Sequence, residues 1–182
     1  MLAKSALKYS LLLAIHPKQL FPHVRQYQPA PAEIIVDRSN NPWQARRSVI
    51  LKATQLFSLI LDADTTVPNE FLTRAHERLR SGYLACTLMY DMAQNHPPFG
   101  ASLWQTRILQ SIYDYDEYVQ NYRLTMKRTV DDKGNDYYAP ENPFLCECLY
   151  MYGKLKPAKL YVFPDLKAHH NKPRPSQTIS IK

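Results

Sequence analysis

The chain of 182 residues and 21.2 kDa contains 45% hydrophobic and 21% charged residues, the composition of a single globular domain. Its apolar run from Leu11 to Ile15 is too short to cross a bilayer, so we expect no transmembrane segment and no secretory signal. The three cysteines are too irregularly spaced for a disulfide framework, which predicts a reducing, cytoplasmic location. The net charge of +7 favours an anionic partner such as a nucleotide, a nucleic acid or an acidic membrane surface.

Strand and helix patterns alternate along the first half of the chain. Apolar runs predict strands at Tyr9 to Ile15, Glu33 to Val36, Leu56 to Leu61 and Tyr83 to Tyr90. A short helix is predicted from Lys18 to Gln26. A second helix is predicted from Pro42, with Ala45, Val49 and Ala53 on its apolar face. A third is predicted after Pro68, with Phe71, Leu72, Ala75 and Leu79 on its apolar face and Gly82 at its end. This alternation predicts a mixed, mostly parallel α/β sheet flanked by helices.

The second half is less regular. A capping box of Ser102 and Gln105 predicts a helix that buries Trp104, Ile108 and Ile112. The polar stretch from Lys127 to Pro143 is predicted to be a mobile loop that closes as a lid. A last helix is predicted from Asn142 with Leu145, Cys148, Leu149, Tyr152 and Leu155 on one face, followed by a strand at Leu160 to Phe163. We therefore expect a domain at 1–164 and a basic, proline-rich tail at 165–182.

Two carboxylates follow the apolar run that ends at Leu61. Asp62 and Asp64 are spaced i, i+2, which in an extended chain points both side chains the same way. Pro68 then prevents further strand pairing. Ligands of open α/β sheets bind outside the carboxyl ends of the strands, and paired acids there suit a hard divalent cation. The alternative is a capped, solvated strand end without a ligand.

Five short motifs occur in a fixed order along the chain. They are Glu33 to Ser39, ending in an acidic turn; Ala45-Arg46-Arg47, then Ala53, then Asp62-Ala63-Asp64; Phe99-Gly100-Ala101-Ser102, then Arg107; Cys146-Glu147-Cys148-Leu149, then Gly153; and His169-His170. Taken in the same order, they resemble five motifs of GT-A fold glycosyltransferases. These are the "DGS"-like turn, the A-R-N…D-x-D stretch, the acceptor-side glycine segment, the E-D acid motif and the late histidine. The resemblance is to the large inverting, family-2-like group that uses nucleotide sugars.

The chain also departs from that family at several points. Arg38 replaces a small or acidic residue of the turn, and Cys146-Glu147 stands where the E-D pair is expected. The Q-x-x-R-W motif of processive synthases is missing, so the resemblance implies a non-processive enzyme. The short length is similar to compact versions of the family from viruses of thermophilic archaea, which would place a viral protein in the host cytoplasm.

The resemblance implies a role for each matching residue. It implies a metal-dependent inverting transferase with an Mn²⁺ or Mg²⁺ cofactor and a nucleoside diphosphate sugar donor. Asp37, Ser39, Arg46 and Asp62 would contact the donor, with Arg46 on the diphosphate. Asp64 would bind the metal with His169 or His170. Glu147 would be the general base, with Asp136 and Glu141 as alternatives.

Simpler interpretations stay open for most of these residues. Asp37 is also typical of a turn, Arg46 of a solvated helix face, Glu147 of an acidic first helical turn, and the histidines of a solvated tail. A related nucleotidyltransferase would use similar acids, but His16-Pro17-Lys18 lacks the glycine such an enzyme needs after its first strand. A non-catalytic, basic nucleic-acid-binding protein is the third alternative, and the scattered basic residues disfavour it. The acceptor, whether glycan, lipid or protein, is not indicated, and peripheral membrane contact is compatible with the charge.

Overall fold

The structure is a computed structural model that describes residues 6–15, 27–39, 42–91, 97–114, 116–118, 126–130, 136–140 and 147–170. Seven strands form the central sheet: β1 (Tyr9–Ala14), β2 (Glu33–Asp37), β3 (Phe57–Leu61), β4 (Thr65–Thr66), β5 (Ala85–Tyr90), β6 (Ala101–Gln105) and β9 (Leu160–His170). Their order across the sheet is β2-β1-β3-β6-β5-β9-β4.

The sheet is mixed, as predicted, and five of its seven strands run in one direction. β1 pairs in parallel with both β2 and β3, and β5 pairs in parallel with most of β9. β6 runs antiparallel between β3 and β5, and β4 runs antiparallel to the end of β9. The carboxyl ends of β2, β1 and β3 therefore lie side by side at one edge, which is the edge where Asp37 and Asp62 were expected.

Both faces of the sheet are covered, which explains the near-continuous apolar runs. Leu11 and Leu13 of β1 pack into the cluster that includes helix α2 (Asn69–Arg80), whereas Leu12 packs into the opposite cluster. The helices of that opposite side are α1 (Pro42–Lys52), α3 (Thr106–Ile112) and α4 (Glu147–Gly153). A 3-10 turn, Pro157–Lys159, leads into β9.

Several sequence predictions for the first half are confirmed. Ala45 and Val49 are buried in α1, Ala53 is buried directly after its end, and the apolar residues predicted for α2 are buried as well. Gly82 follows α2 with a φ of 106°, the left-handed conformation that glycine adopts without steric cost. The helix predicted from Lys18 to Gln26 lies outside the described residues.

Hydrogen bonds also join the amino-terminal ends of the central strands. The Glu33 carboxylate at the start of β2 accepts hydrogen bonds from the Ser10 hydroxyl and from the backbone and hydroxyl of Thr54. Burial acts to raise the pKa of Glu33, but these hydrogen bonds outweigh it and lower the pKa below its ordinary value. Glu33 thus ties β2 to β1 and to the segment that enters β3.

The helix predicted around Ile108 and Ile112 is present, but its predicted start, which placed Trp104 in the helix, is wrong. Residues Ala101–Gln105 form strand β6, and the helix begins only at Thr106. Trp104 is fully buried and its indole nitrogen donates to the Ser102 hydroxyl at 2.7 Å. Pairing with strands on both sides outweighed the capping-box pattern, because Ser102 is used inside the sheet and Gln105 donates to the Tyr83 carbonyl.

The predicted lid is also wrong in its secondary structure. Strands β7 (Met126–Val130) and β8 (Asp136–Pro140) pair antiparallel as a two-stranded hairpin. Two runs with β-forming residues flank a glycine-containing stretch, which is a sequence pattern typical of a hairpin. The prediction gave more weight to the many polar side chains, which are typical of a loop. The connecting residues 131–135 and the following residues 141–146 lie outside the described parts of the chain.

The last two elements differ in detail from the prediction. Leu149 is 40% exposed, whereas Tyr150 and Met151 of α4 are buried. β9 continues to His170 and so passes the predicted domain boundary at 164, because Leu166 and Ala168 alternate inward with exposed neighbours. Residues 171–182 of the predicted tail are not described. Within the described parts of the chain, no helix has the length and apolar character needed to cross a membrane.

Candidate active site

The site begins where β3 ends against a glycine. The backbone N–H of Asp62 donates to the Gly100 carbonyl at 2.9 Å, and that of Thr65 donates to the Asp62 carbonyl at 3.0 Å. A Cβ atom added to Gly100 would lie 2.0 Å from the Asp62 Cγ atom, closer than real contacts allow. Only glycine at position 100 therefore lets the Asp62 carboxylate occupy its place. The sequence had marked Gly100 by resemblance, but this contact is a finding of the structure.

Arg46 brings two of the predicted functional acids together. Its Nη2 atom lies 2.7 Å from Oδ1 of Asp62, and its Nε atom lies 3.1 Å from Oε2 of Glu147. The Arg46 side chain is only 13% exposed, and its guanidinium carbon lies 5.4 Å from the centroid of the Phe99 ring. Burial acts to lower the pKa of Arg46, but the charges of Glu147 and Asp62 outweigh it and raise the pKa. The guanidinium is therefore a permanent cation between two carboxylates.

Glu147 is held from a second side by Tyr113. The Tyr113 hydroxyl, at the end of α3, donates to Oε1 of Glu147 at 2.6 Å. Burial, followed by the negative charge of Glu147, raises the pKa of Tyr113, so this hydroxyl stays a donor. Glu147 is the first described residue of α4, and its side chain is 12% exposed. Its carboxylate is consequently fixed by one cation and one neutral donor, which is more than the capping role open to a first-turn acid.

Tyr90 is a second tyrosine that sequence reasoning missed. Its hydroxyl donates to Oδ2 of Asp62 at 3.3 Å and lies 3.2 Å from the Thr65 hydroxyl. Burial raises the pKa of Tyr90, and the charges of Asp62 and Asp64 raise it further. Tyr90 ends β5 and Tyr113 follows α3, so in the sequence both look like ordinary core aromatic residues. Only the fold shows that their hydroxyl groups converge on the two acids.

Asp37 and Ser39 lie at the same sheet edge, at the end of β2. Oδ1 of Asp37 accepts from the Ser39 backbone N–H at 2.9 Å. Burial acts to raise the pKa of Asp37, but hydrogen bonds from Ser48 of α1 and from Ser39 outweigh it and lower the pKa. One strand, β1, separates β2, which ends at Asp37, from β3, which ends just before Asp62. The described contacts therefore place the pair near the acids but not against them.

The predicted metal ligands lie where β9 meets β4. The register pairs His169 with Thr66 and His170 with Thr65, immediately after Asp64. His169 Nδ1 lies 2.8 Å from Oδ2 of Asp91. Among the described residues, no group of three or more His, Cys, Asp or Glu side chains is arranged to hold a metal ion. A cation there would thus need phosphate or water oxygens besides protein atoms, as Mg²⁺ and Mn²⁺ sites commonly have.

The two acids of the D-x-D triplet are not equivalent. Asp62 shares the Arg46 cation with Glu147 and accepts a hydrogen bond from Tyr90, so both of its carboxylate oxygens have partners within the chain. Asp64 is half-buried and contributes a second negative charge near Tyr90. A metal ligand at Asp64 stays a prediction. Two alternative bases were predicted. The structure describes the backbone of Asp136 but not its side chain, and Glu141 lies outside the described residues.

A cavity of about 280 Å³ opens beside this edge. It is lined by Tyr27, Thr66, Val67, Pro68, Asn69 and His169. The Asn69 side-chain oxygen accepts a hydrogen bond from the Gln28 backbone at 3.0 Å, which fixes one wall. Open space thus adjoins the predicted metal side of the strand end.

Neither a protein-family model nor a curated protein sequence matches this chain. Its structure is similar to that of A197 from STIV, with 13% identity and a TM-score of 0.54 over 90% of this chain and 84% of A197. It is also similar to S. aureus TarS 1–349 in complex with UDP-GlcNAc, with 11% identity and a TM-score of 0.50 over 97% of this chain and 62% of the TarS chain. Structural neighbours of this chain include glycosyltransferases. The chain therefore has a GT-A-like fold, as the sequence motifs predicted.

Proposed function

We propose that this chain is a metal-dependent, inverting, non-processive glycosyltransferase that uses a nucleoside diphosphate sugar. The observation that carries the proposal is the meeting of Asp62 and Glu147, 85 positions apart in the numbering, on the two sides of one arginine. The first acid ends a strand at the ligand edge of a GT-A-like sheet, and the second faces it from a helix. Such an arrangement suits a reaction with a donor side and an acceptor side.

The reaction needs one proton acceptor at the acceptor side. The acceptor hydroxyl oxygen forms a bond to the anomeric carbon from the face opposite the diphosphate. The bond from that carbon to the diphosphate oxygen breaks, and its electron pair leaves with the nucleotide. The hydroxyl proton passes to Glu147, which Tyr113 and Arg46 hold in a single orientation. Attack from the opposite face inverts the configuration at the anomeric carbon.

A divalent cation would be held by Asp64, with His169 or His170 as a nitrogen donor. When bound, Mn²⁺ or Mg²⁺ stabilises the negative charge that develops on the leaving diphosphate. A nitrogen ligand would favour Mn²⁺ over Mg²⁺. Asp62 would act beside the cation, on the ribose or on a coordinated water.

Asp37 and Ser39 would hold the nucleoside. The lowered pKa of Asp37 keeps its carboxylate ionised and able to accept a hydrogen bond from a base N–H or a ribose hydroxyl. Because the TarS structure of similar fold contains UDP-GlcNAc, uridine nucleotides are the first donors to test. The acceptor is left to experiment.

The test joins a product assay with two acid variants. A panel of nucleotide sugars with mass spectrometry of the products should reveal transfer by the wild-type chain. Asp64→Asn should abolish the Mn²⁺-dependent part of UDP binding in calorimetry. Glu147→Gln should keep donor affinity and lower turnover by about 10²–10⁴-fold, the range for a lost general base.

The matched control is Asp165→Asn, whose carboxylate pairs with Arg74 at the surface and should leave both properties unchanged. Metal-dependent UDP binding that survives Asp64→Asn would refute the metal assignment. Turnover that survives Glu147→Gln would refute the base. Failure of every nucleotide sugar to bind or react would remove the proposed function itself.

A further inference from the structure

Arg46 divides one hydrogen-bonding edge between two acids. The Nε and Nη2 atoms of an arginine point to the same side and commonly hold both oxygens of a single carboxylate. Here Nη2 contacts Asp62 at 2.7 Å and Nε contacts Glu147 at 3.1 Å. The two carboxylates must therefore lie side by side along this edge. Moving either one would change the contact made by the other.

The surroundings of Arg46 disfavour a direct diphosphate contact. The side chain is 13% exposed, and its guanidinium packs near the Phe99 ring. One positive charge faces two negative charges in the group of Arg46, Asp62 and Glu147, so the group as a whole does not attract an anion. An arginine that binds diphosphate needs exposed donors and a positive surrounding.

We propose that Arg46 is a positioning residue that orients the Glu147 carboxylate relative to Asp62, in place of the diphosphate contact expected from the sequence. This inference rests on the proposed transferase function. Arg46 acts through Glu147, because it supplies the cation on Oε2 while Tyr113 supplies the donor on Oε1. The base is thereby held at a fixed place with respect to the acid at the donor edge.

The consequence is a separation of turnover from nucleotide affinity. Arg46→Gln removes the charge, and Arg46→Lys keeps it but cannot hold two carboxylates along one planar edge. Because Tyr90 still donates to Oδ2 of Asp62 when Arg46 is replaced, both variants should bind UDP with Mn²⁺ within about 3-fold of the wild-type affinity. Turnover should fall by roughly 10²-fold in Arg46→Gln and by less in Arg46→Lys. Neither loss should exceed the loss of about 10²–10⁴-fold expected when the base itself is replaced in Glu147→Gln.

The decisive measurement is a double variant. If Arg46 acts through Glu147, then Arg46→Gln combined with Glu147→Gln should lower turnover no further than Glu147→Gln alone, within about 3-fold. The matched control is Arg47→Gln, on the same helix, where the arginine is 45% exposed and pairs with Asp116 at 3.6 Å. That variant should leave turnover and UDP affinity unchanged.

Two results would overturn the inference. One is a turnover loss that multiplies in the double variant, because independent effects multiply. The other is a UDP affinity that falls about 10-fold or more in Arg46→Lys. A loss of that size, about 1.4 kcal/mol, would mean that Arg46 contacts UDP directly. Arg46→Lys retains the charge, so it serves if Arg46→Gln does not fold.

A readout without turnover separates this inference from the proposed function. Glu147→Gln should lower the thermal unfolding midpoint of the wild-type chain, because it removes the charged partner of Arg46. In the Arg46→Gln background the same change should raise the midpoint, because it removes a half-buried carboxylate that has lost its cation. Equal shifts in both backgrounds would overturn the pairing. An inactive wild-type chain with opposite shifts would overturn only the proposed function.

Discussion

Replacing Gly100 with alanine tests the geometry of the candidate site most directly. The added methyl group would lie 2.0 Å from Cγ and Oδ2 of Asp62 and 2.3 Å from Oδ1. The carboxylate has no simple escape, because Arg46 holds Oδ1 at 2.7 Å and Tyr90 holds Oδ2 at 3.3 Å. Either the backbone pairing between Gly100 and Asp62 or the ion pair with Arg46 must give way.

The cost follows from these two alternatives. Overpacking of a filled site costs about 1–3 kcal/mol of unfolding free energy. Loss of a hydrogen bond to a charged group costs about 1.5–3 kcal/mol. The two costs do not add fully, because a carboxylate that gives up its hydrogen bond to Arg46 can move away from the added methyl group. We therefore expect a combined loss of about 2–4 kcal/mol of unfolding free energy. For a chain of this size that corresponds to a fall of roughly 4–16 °C in the unfolding midpoint.

Calorimetry and urea denaturation of Gly100→Ala would measure this loss. Gly153→Ala is the matched control, since a Cβ there meets no atom within 4 Å. Gly153 ends helix α4, so alanine should leave the unfolding free energy unchanged or raise it by up to about 1 kcal/mol. Under the proposed function, Gly100→Ala should also weaken UDP binding, because it displaces Asp62, a proposed donor contact.

Making Gly100→Ala in an Asp62→Ala background separates the collision with the Asp62 carboxylate from other effects of the substitution. In Asp62→Ala the colliding carboxylate is absent, so Gly100→Ala should then cost less than about 1 kcal/mol, a small value for a core substitution. If Gly100→Ala unfolds within about 1 °C of the wild type, a shift below that of a 1 kcal/mol loss, the close approach is refuted. An equally large loss in both backgrounds would place its cause elsewhere.

Two further predictions concern hydrogen bonds to carboxylates. Tyr113→Phe removes the hydroxyl that donates to Glu147 at 2.6 Å, and should lower the unfolding free energy in urea by about 1.5–3 kcal/mol; an unchanged value would contradict the charged hydrogen bond. The folded pKa of Glu33 is lowered, so its contribution to stability is complete above the unfolded value of about 4.3 and is lost as pH falls through the folded pKa. Urea denaturation at pH 6 and at pH 3 should therefore show a smaller acid-induced loss of stability in Glu33→Gln than in the wild type, and identical losses would argue against the prediction.

Much of the fold was predictable because its signals are local. The continuous apolar runs of β1 and β3 reflect burial on both faces, and the helical spacing of Phe71, Leu72 and Ala75 reflects packing on one. The position of Asp62 at a strand end follows from the same runs. Trp104 was misplaced because a strand between two partners outweighs a local capping pattern. The end of β9 was missed because its alternation of Leu166 and Ala168 is short.

The contacts of the candidate site were not predictable in the same way. Motif order nominated Asp62, Arg46 and Glu147 separately, but no local pattern shows that one guanidinium touches both acids. Tyr90 and Tyr113 carry no signal in the sequence, because their spacing is that of core residues. A close approach such as that of Gly100 depends on two segments meeting in space, which only a three-dimensional structure can show.

The pairing of β4 with β9 has a consequence for the order of assembly during synthesis. β4 has only two residues, and the strand it pairs with ends at His170, more than a hundred positions later. A ribosome that has released the D-x-D segment still lacks the strand that supports its far side. The edge where β4 pairs with β9 can therefore be completed only after His170 has emerged, when β1, β2 and β3 have long been available to pair. Contacts so distant in sequence form slowly, which makes this edge a late step of folding.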